Sequence, residues 1–469
     1  MRARHLQLLA GITVAGALLR FVTLDVQSYW LDEVATVNLL HKGFGSMISG
    51  VASGESTPPV YYVLAWLWAK LFGTCEFGLR SLSAVIGTAT IPLAFAIGKR
   101  VAGRRAGLIA AALCAFNPLL VWYSQEARSY ALMVLLTGAS LLLLLQALDD
   151  PSTRRLLRWA TVSAFAIATH YYAGFLIGAE AAFLLWRLRR GAVVALAPVA
   201  IAAAALLPLA LHQRSTGAAE FISQSSLASR FIQIPKQFAV GYQGPAEVVT
   251  TGVILLLVAY GAIRVIGNEK ATLLAALGVA TIGAATVLAV IGPDYLIARN
   301  TLAAWLSLTV ALAAGLAAAR FGVAATAVIS LIGVGIVIGV ADNERYQRDD
   351  WRGAADFIGR ARQPRAVIVT PASGALPLLH YLKGGQKAPG AGVDVKEIAF
   401  VGLAARLPGE AAKPPRPPTV GAAGFTEVRR RQADTYTVVL ETSPSGTHIT
   451  PVVGASSLDN RPAVTLYQP

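Results

Sequence analysis

Only two of the 469 residues are cysteine, Cys75 and Cys114, and no framework of disulfides can be built from them. Cys114 lies inside an apolar run, where a free thiol reads as a small hydrophobe. Charge is equally scarce: Asp, Glu, Lys and Arg together make 14% of the chain against 55% hydrophobic residues, with a mean hydropathy of +0.58. That balance excludes a string of soluble domains, which the length alone would allow. Acidic residues are the scarcer sign, 25 against 40 basic, for a net charge of +15. Residues 1–341 carry 24 basic and 13 acidic side chains between long apolar runs, whereas residues 342–469 carry 16 and 12 in an ordinary soluble composition. The basic excess therefore reads as topogenic rather than nucleic-acid-seeking. The chain also lacks a GxxxxGK(S/T) phosphate loop, an HExxH helix and a CxxC pair, which removes the usual soluble chemistries. No internal repeat of 20–50 residues and no inverted halves of the transporter kind are visible.

What is present is a series of runs long enough to cross about 30 Å of hydrocarbon, roughly 20 residues each. The first opens at the N-terminus, MRARHLQLLAGITVAGALLR, which resembles a signal peptide but has no small-residue cleavage site after its apolar stretch. Others lie near 81–98, 106–123, 130–148, 156–172, 173–187, 192–212, 246–266, 271–291, 298–319 and 322–341, so about eleven transmembrane helices are expected. The fourteen-residue segment PVYYVLAWLWAKLF (59–72) is short for a span. If it lies flat at the interface, the clusters Lys99-Arg100/Arg104-Arg105, Arg154-Arg155-Arg158, Arg187/Arg189-Arg190, Arg264/Lys270 and Arg320 all fall on the cytoplasmic side. Fifteen of the 24 basic residues are then inside and nine of the 13 acids outside. Its Tyr61, Tyr62, Trp66 and Trp68 also suit the headgroup region. The expected architecture is a polytopic α-helical membrane domain, residues 1–341, with a first outer loop at about 25–80, and an extracytoplasmic α/β domain, residues 342–469. In the latter, Asp349 or Asp350 is a candidate helix cap, AVIVT (366–370), TYTVVLE (435–441) and AVTLYQ (463–468) read as strands, and AAKPPRPP (411–418) reads as a linker. The whole is placed in a bacterial cytoplasmic membrane with the N-terminus inside.

Chemistry-bearing residues gather in the expected outer loops. In SYWLDEVATV, Asp32 and Glu33 sit beside Tyr29 and Trp30. A carboxylate partly desolvated by aromatic rings can act as a general base on a hydroxyl, although acids at a helix start also answer the helix dipole. In FNPLLVWYSQEARSYAL, Glu126 and Arg128 lie at an outer turn, close enough to pair with each other. His170, Tyr171 and Tyr172 end a short span, either as a site or as part of an aromatic belt. In GPDYLIARNTLAAW, Arg299 needs an anion, Asp294 or a ligand phosphate. Lys70 and Arg80 are further phosphate candidates, or snorkel to headgroups.

The ordered series WLDE, STPPVYY, LFGTCEFGLRSLSA, WYSQEARSYAL, HYY, DYLIARNTL and DDWRGAADFI resembles the family 39 type of bacterial GT-C glycosyltransferases, relatives of protein O-mannosyltransferases and of the aminoarabinose transferases that modify lipid A. The resemblance covers most of the membrane region. It implies a GT-C fold and an inverting transferase that moves a monosaccharide from a polyprenyl-phosphate donor to an acceptor lipid, glycan or protein at the outer face, with no nucleic-acid partner. Carried over, Asp32 is the base, with Glu33 its neighbour, and Glu126, Arg128 and Tyr130 form the second-loop motif. Arg80 follows the flat helix, and Arg299, Arg80 and Lys70 are donor-phosphate partners. Tyr29, Trp30, Glu55, His170 and Tyr171 line the cavity, and a divalent ion, if one is used, falls to Asp32, Glu126 and His170. One departure stands out: Thr57 precedes Pro58-Pro59 where many relatives carry a basic residue or histidine, which moves weight to Lys70, Arg80 and Arg299. The competing expectations are a secondary transporter or flippase of a lipid-linked sugar, for which only Glu180 lies at midplane depth, and a non-catalytic scaffold, which leaves Asp32, Glu33 and Glu126 without a role.

Overall fold

The computed structural model describes residues 2–217, 222, 225–404, 422–450 and 461–469. Glu220 and the Pro-rich stretch 411–418 lie outside them. The chain forms two compact units: Met1–Leu24 with Leu39–Ile338, and Asp25–Asn38 with Gly339–Pro469.

The first unit is a helical bundle, and each of the eleven apolar runs falls on helix. Among the described residues, six helical stretches are long and apolar enough to cross a membrane by length and composition. Two expected spans are the limbs of one of them, Glu76–Phe116, which turns back at Ala102 and Gly103. Gly103 has φ +83°, a backbone region that costs any other residue its Cβ clearance. The limbs then pack backbone to backbone. A Cβ on Gly98 would meet Ala106 O at 2.9 Å, and one on Gly107 would meet Phe95 O at 2.7 Å.

Polar contacts sort the helix ends into two groups. At one end, Arg100 and Lys270 both hold Asp149, at 2.7 and 2.8 Å, while Asn268 donates to Val101 O and Arg105 to Ala319 O. This is the end of the basic clusters. At the other, Arg20 donates to Ser124 Oγ and to the carbonyls of Cys114 and Ala115, closing free C-terminal carbonyls of the Glu76–Phe116 helix. The helix Val60–Phe72 has both ends here: Thr57 O, just before it, accepts from Gln213, and Trp68 Nε1 donates to Gly78 O at the start of Glu76–Phe116. At 13 residues it is about 20 Å long, too short to cross. Its Tyr61, Tyr62 and Ala65 are buried, and Leu64, Leu67 and Leu71 are exposed, the two-faced pattern of a helix at an interface.

The second unit holds a six-stranded sheet of order β2-β6-β1-β3-β5-β4, formed by β1 (Arg365–Thr370), β2 (Gln386–Lys387), β3 (Val393–Leu403), β4 (Thr426–Gln432), β5 (Tyr436–Ile449) and β6 (Val464–Gln468). Only β1 and β3 run parallel; the other pairs are antiparallel. The three strands expected from the sequence are β1, β5 and β6. β3 escapes the sequence pattern because DVKE in its first half breaks the apolar run. One face of the sheet packs Val367, Val369, Ala399 and Val438 under the helices Trp351–Ile358 and Ala375–Tyr381. The other face packs Ala366, Ile368, Ile398 and Phe400. Of the two cap candidates it is Asp350 whose carboxylate accepts from Gly353 N, at 2.9 Å.

Candidate functional site

In the first unit the polar end of the bundle is built around the turn between the helices Pro118–Ser124 and Tyr130–Asp149. Asn117 starts the first of these by accepting from Leu120 N, with Pro118 at the position where a missing N–H costs nothing. Gln125 then ties the turn to the first helix through Leu19 O, Arg20 O and Thr23 Oγ1. The turn that follows, Arg128 N to Glu126 O, presents Glu126 and Arg128, both nearly inaccessible. Arg128 grips Glu55 with both ends of its fork, Nη1 to Oε1 at 3.0 Å and Nη2 to Oε2 at 2.9 Å. The carboxylate thus engaged comes from 73 positions upstream, where the sequence offered the neighbouring Glu126 as the pairing candidate.

Tyr62 completes this cluster. Arg128 lies over its ring at 5.8 Å and its hydroxyl shares a hydrogen bond with Thr57 Oγ1 at 3.1 Å. Burial pushes the Tyr62 phenol far up, so it stays a neutral hydroxyl beside the ion pair. Gln213 fixes the loop that carries Glu55 and Thr57 by donating to Val51 O and Thr57 O, while its own carbonyl accepts from Tyr171. The position before Pro58 therefore holds a buried hydroxyl in a structural bond, with Glu55 and Arg128 close by.

A second group adjoins it. The Tyr130 ring lies 5.6 Å from that of His170 and 6.0 Å from the Arg299 guanidinium, and the fields of Arg128 and Arg299 both reach His170. Arg299 stands in the 3-10 turn Ala298–Ala304. Of the two anions the sequence offered it, Asp294 is held by Arg230, Nη1 to Oδ1 at 2.7 Å and Nη2 to Oδ2 at 2.5 Å. Arg230 wins because it sits on the helix Leu227–Val240 with its other donors on Leu296 O and Ser225 O, which shape the loop around Asp294. That contact holds the Asp294 carboxyl below the usual carboxylate range. Arg80 is buried and donates to Leu24 O at 2.8 Å. Lys70 is exposed on Val60–Phe72, its Nζ 4.6 Å from the ring of Trp66.

The same unit contains an apolar cavity of about 310 Å³, lined among others by Phe116, Pro118, Phe238, Leu255, Trp305 and Leu312. Its walls suit a hydrocarbon chain and offer almost nothing to a polar solute.

Asp32 and Glu33 belong to the second unit, in the first turn of the helix Leu31–Leu40. Glu33 is fully buried, whereas Asp32 keeps part of its surface exposed. Tyr29 is fully buried and Trp30 half-buried. Among the described residues, no three His, Cys, Asp or Glu side chains gather as a metal site.

Gln213, Arg230, Gln125 and Tyr62 adjoin the candidate residues but were not singled out by sequence reasoning as site residues. Tyr62 lay within the quoted STPPVYY motif. The others gave no local signal, since the bonds of Arg230 to Asp294, of Gln125 to Arg20 and of Gln213 to Val51 span 64, 105 and 162 positions.

Residues 56–212 match the family model described as dolichyl-phosphate-mannose-protein mannosyltransferase. No curated protein matches the chain in sequence. Among solved structures, the ArnT of Cupriavidus metallidurans bound to undecaprenyl phosphate is 14% identical over 92% of this chain and 97% of its own, with a TM-score of 0.54. Its apo form gives 14% identity over the same shares and a TM-score of 0.55. The oligosaccharyltransferase of Archaeoglobus fulgidus in the apo form is 16% identical over 76% of this chain and 58% of its own, at a TM-score of 0.49. The GT-C fold expected from the sequence is the fold of this chain, a multi-pass helical membrane domain with a C-terminal mixed sheet.

Proposed function

We propose that this protein is an integral membrane glycosyltransferase that moves a single sugar from a polyprenyl-phosphate donor to an acceptor hydroxyl at the outer face of a bacterial cytoplasmic membrane. The observation that carries the reading is the convergence of Arg128 and Arg299 on the Tyr130–His170 pair at the polar end of the bundle. Arg128 is paired with Glu55, and Arg299 brings a second guanidinium to the same group. Phosphate is the anion a planar fork binds best. The apolar cavity offers a place for the donor's prenyl chain, and the family match at 56–212 and the fold shared with ArnT point the same way.

In the proposed reaction Asp32 takes the proton of the acceptor hydroxyl. The freed oxygen attacks the anomeric carbon, the bond from that carbon to the phosphate oxygen breaks with inversion, and polyprenyl phosphate leaves. Asp32 suits the role better than Glu33 because a base must meet its acceptor, and only Asp32 retains accessible surface. Arg299, with Arg80 and Lys70 in support, stabilises the charge that grows on the leaving phosphate. Glu126, Arg128 and Tyr130 set the walls of the donor site.

The test is sugar transfer from a panel of polyprenyl-phosphate monosaccharides by purified full-length protein in nanodiscs, supplied with acceptor extracts. Release of polyprenyl phosphate that is lost in a folded Asp32→Asn variant supports the proposal and names the donor. A folded protein that neither binds nor turns over any donor overturns it.

A further inference from the structure

The DDWR stretch, Asp349–Arg352, belongs to the motif series of the sequence, yet the proposed reaction gives it no part. Its contacts are with the far end of the chain. Ser28 Oγ donates to Asp349 O at 2.8 Å and accepts from Trp351 N at 3.0 Å. Gln27 Oε1 accepts from Arg348 N at 2.9 Å. Arg352 Nη2 donates to the carbonyls of Asp25 and Val26, both at 2.9 Å. Tyr29 N donates to the Tyr381 hydroxyl at 2.7 Å, and the Tyr29 ring meets that of His380 edge-on at 5.8 Å. Every residue from Asp25 to Tyr29 is thus engaged by a partner more than 320 positions away, and Gln27, Ser28 and Tyr29 are buried.

The hold continues into the helix that carries the acids. Trp30 O accepts from Glu33 N and Val34 N, both at 3.0 Å, and so starts Leu31–Leu40, whose first turn contains Asp32. The gripping side is itself rigid. Asp350 caps Trp351–Ile358 through Gly353 N, with no room for a Cβ on Gly353, and Trp351 is sunk in the core of the sheet, its ring where a Cβ on Gly374 would be. A helix that begins one residue after a held segment takes its starting direction from that segment.

Resting on the glycosyltransfer reading above, we propose that Asp349–Arg352 and Tyr381 are positioning residues for the base: they clamp residues 25–29 and thereby aim the Asp32 carboxylate. The C-terminal domain is on this view part of the catalytic apparatus. Ser28 is the key of the clamp, because its single hydroxyl is satisfied as donor and acceptor by two backbone groups of the same turn.

Ser28→Ala and Arg352→Ala in the full-length protein test this, with Ser28→Thr and Arg352→Lys as conservative partners. Two readouts are taken: kcat against donor KM, and amide hydrogen exchange of residues 25–38. Misplacing a reacting group by about 1 Å costs on the order of 100-fold, so kcat should fall roughly 10- to 100-fold in the alanine variants while donor KM stays within about twofold. Exchange in 25–38 should quicken, and Ser28→Thr should recover both readouts. Unchanged exchange in folded alanine variants overturns the clamp. Quickened exchange with unchanged kcat overturns its role in aiming Asp32, as does a loss confined to KM. If the wild type transfers no sugar but exchange quickens in the variants, the proposed function fails and the clamp stands.

Discussion

The Arg128 guanidinium meets the Glu55 carboxylate with two parallel bonds, 3.0 and 2.9 Å, and the two side chains are only 6% and 5% exposed. Removing one partner of such a pair leaves the other charge buried and uncompensated, at a cost of about 3–5 kcal/mol. Arg128→Ala should therefore lower the unfolding temperature in detergent markedly more than the double variant Glu55→Gln/Arg128→Gln, which removes both charges. Equal destabilisation of the two would show that the pair contributes packing rather than charge.

Arg299 is expected to act on the donor. Its planar fork lies over Tyr130 at 6.0 Å, so Arg299→Lys keeps the charge and loses the stacked, two-pronged geometry. Transfer by Arg299→Lys should drop roughly 10-fold, and by Arg299→Ala roughly 100-fold, a few kcal/mol of lost transition-state stabilisation. Steady-state kinetics with a defined donor check this. Wild-type rates in Arg299→Ala would remove it from the site.

The Arg230–Asp294 contact makes a pH prediction. The folded carboxyl titrates below its ordinary value because Arg230 holds it ionised. Its stabilising effect is thus complete above the unfolded pKa of about 4 and is lost as pH falls from there toward the folded value. Asp294→Asn should flatten the acid side of the stability profile below about pH 4 and leave the neutral region lower by a constant amount. Unfolding temperatures of wild type and variant across acidic buffers decide it, and parallel profiles would contradict it.

At the turn of the Glu76–Phe116 hairpin, two glycines should respond differently. Gly103 has open space but φ +83° and ψ −176°, a region essentially reserved to glycine, so Gly103→Ala should cost about 1–3 kcal/mol of backbone strain. Gly107 faces Phe95 O at 2.7 Å from where a Cβ would sit, so Gly107→Leu should force the limbs apart and abolish folded protein on size exclusion. Normal assembly of Gly107→Leu would show that the limbs can separate without loss.

Much of the membrane unit could be read from residue order alone. Long apolar runs must bury or face lipid, and they satisfy their own backbone groups only as helices, so the eleven runs could be placed before any contact was known. The short segment 59–72 was resolved by the same economy: the alternation of Lys and Arg clusters works only if it does not cross, and in the structure both of its ends return to one end of the bundle. The strands of the C-terminal sheet were legible where their patterns were uniformly apolar, as in β1, and hidden where charges alternate, as in β3.

Pairing was another matter. The sequence marked Arg128 and Arg299 as residues that pair with an anion, and the protein partners it offered them, Glu126 and Asp294, were near neighbours in the chain. Tertiary structure gave Arg128 to Glu55 and Asp294 to Arg230. It also joined the segment before Asp32 to the DDWR turn, 321 to 327 positions on. Composition and periodicity report what a residue requires of its surroundings, since desolvation acts on each side chain by itself. Which residue meets the requirement depends on where the folded chain brings distant segments, and hydrogen bonds and ion pairs act only over the few ångströms that folding alone sets.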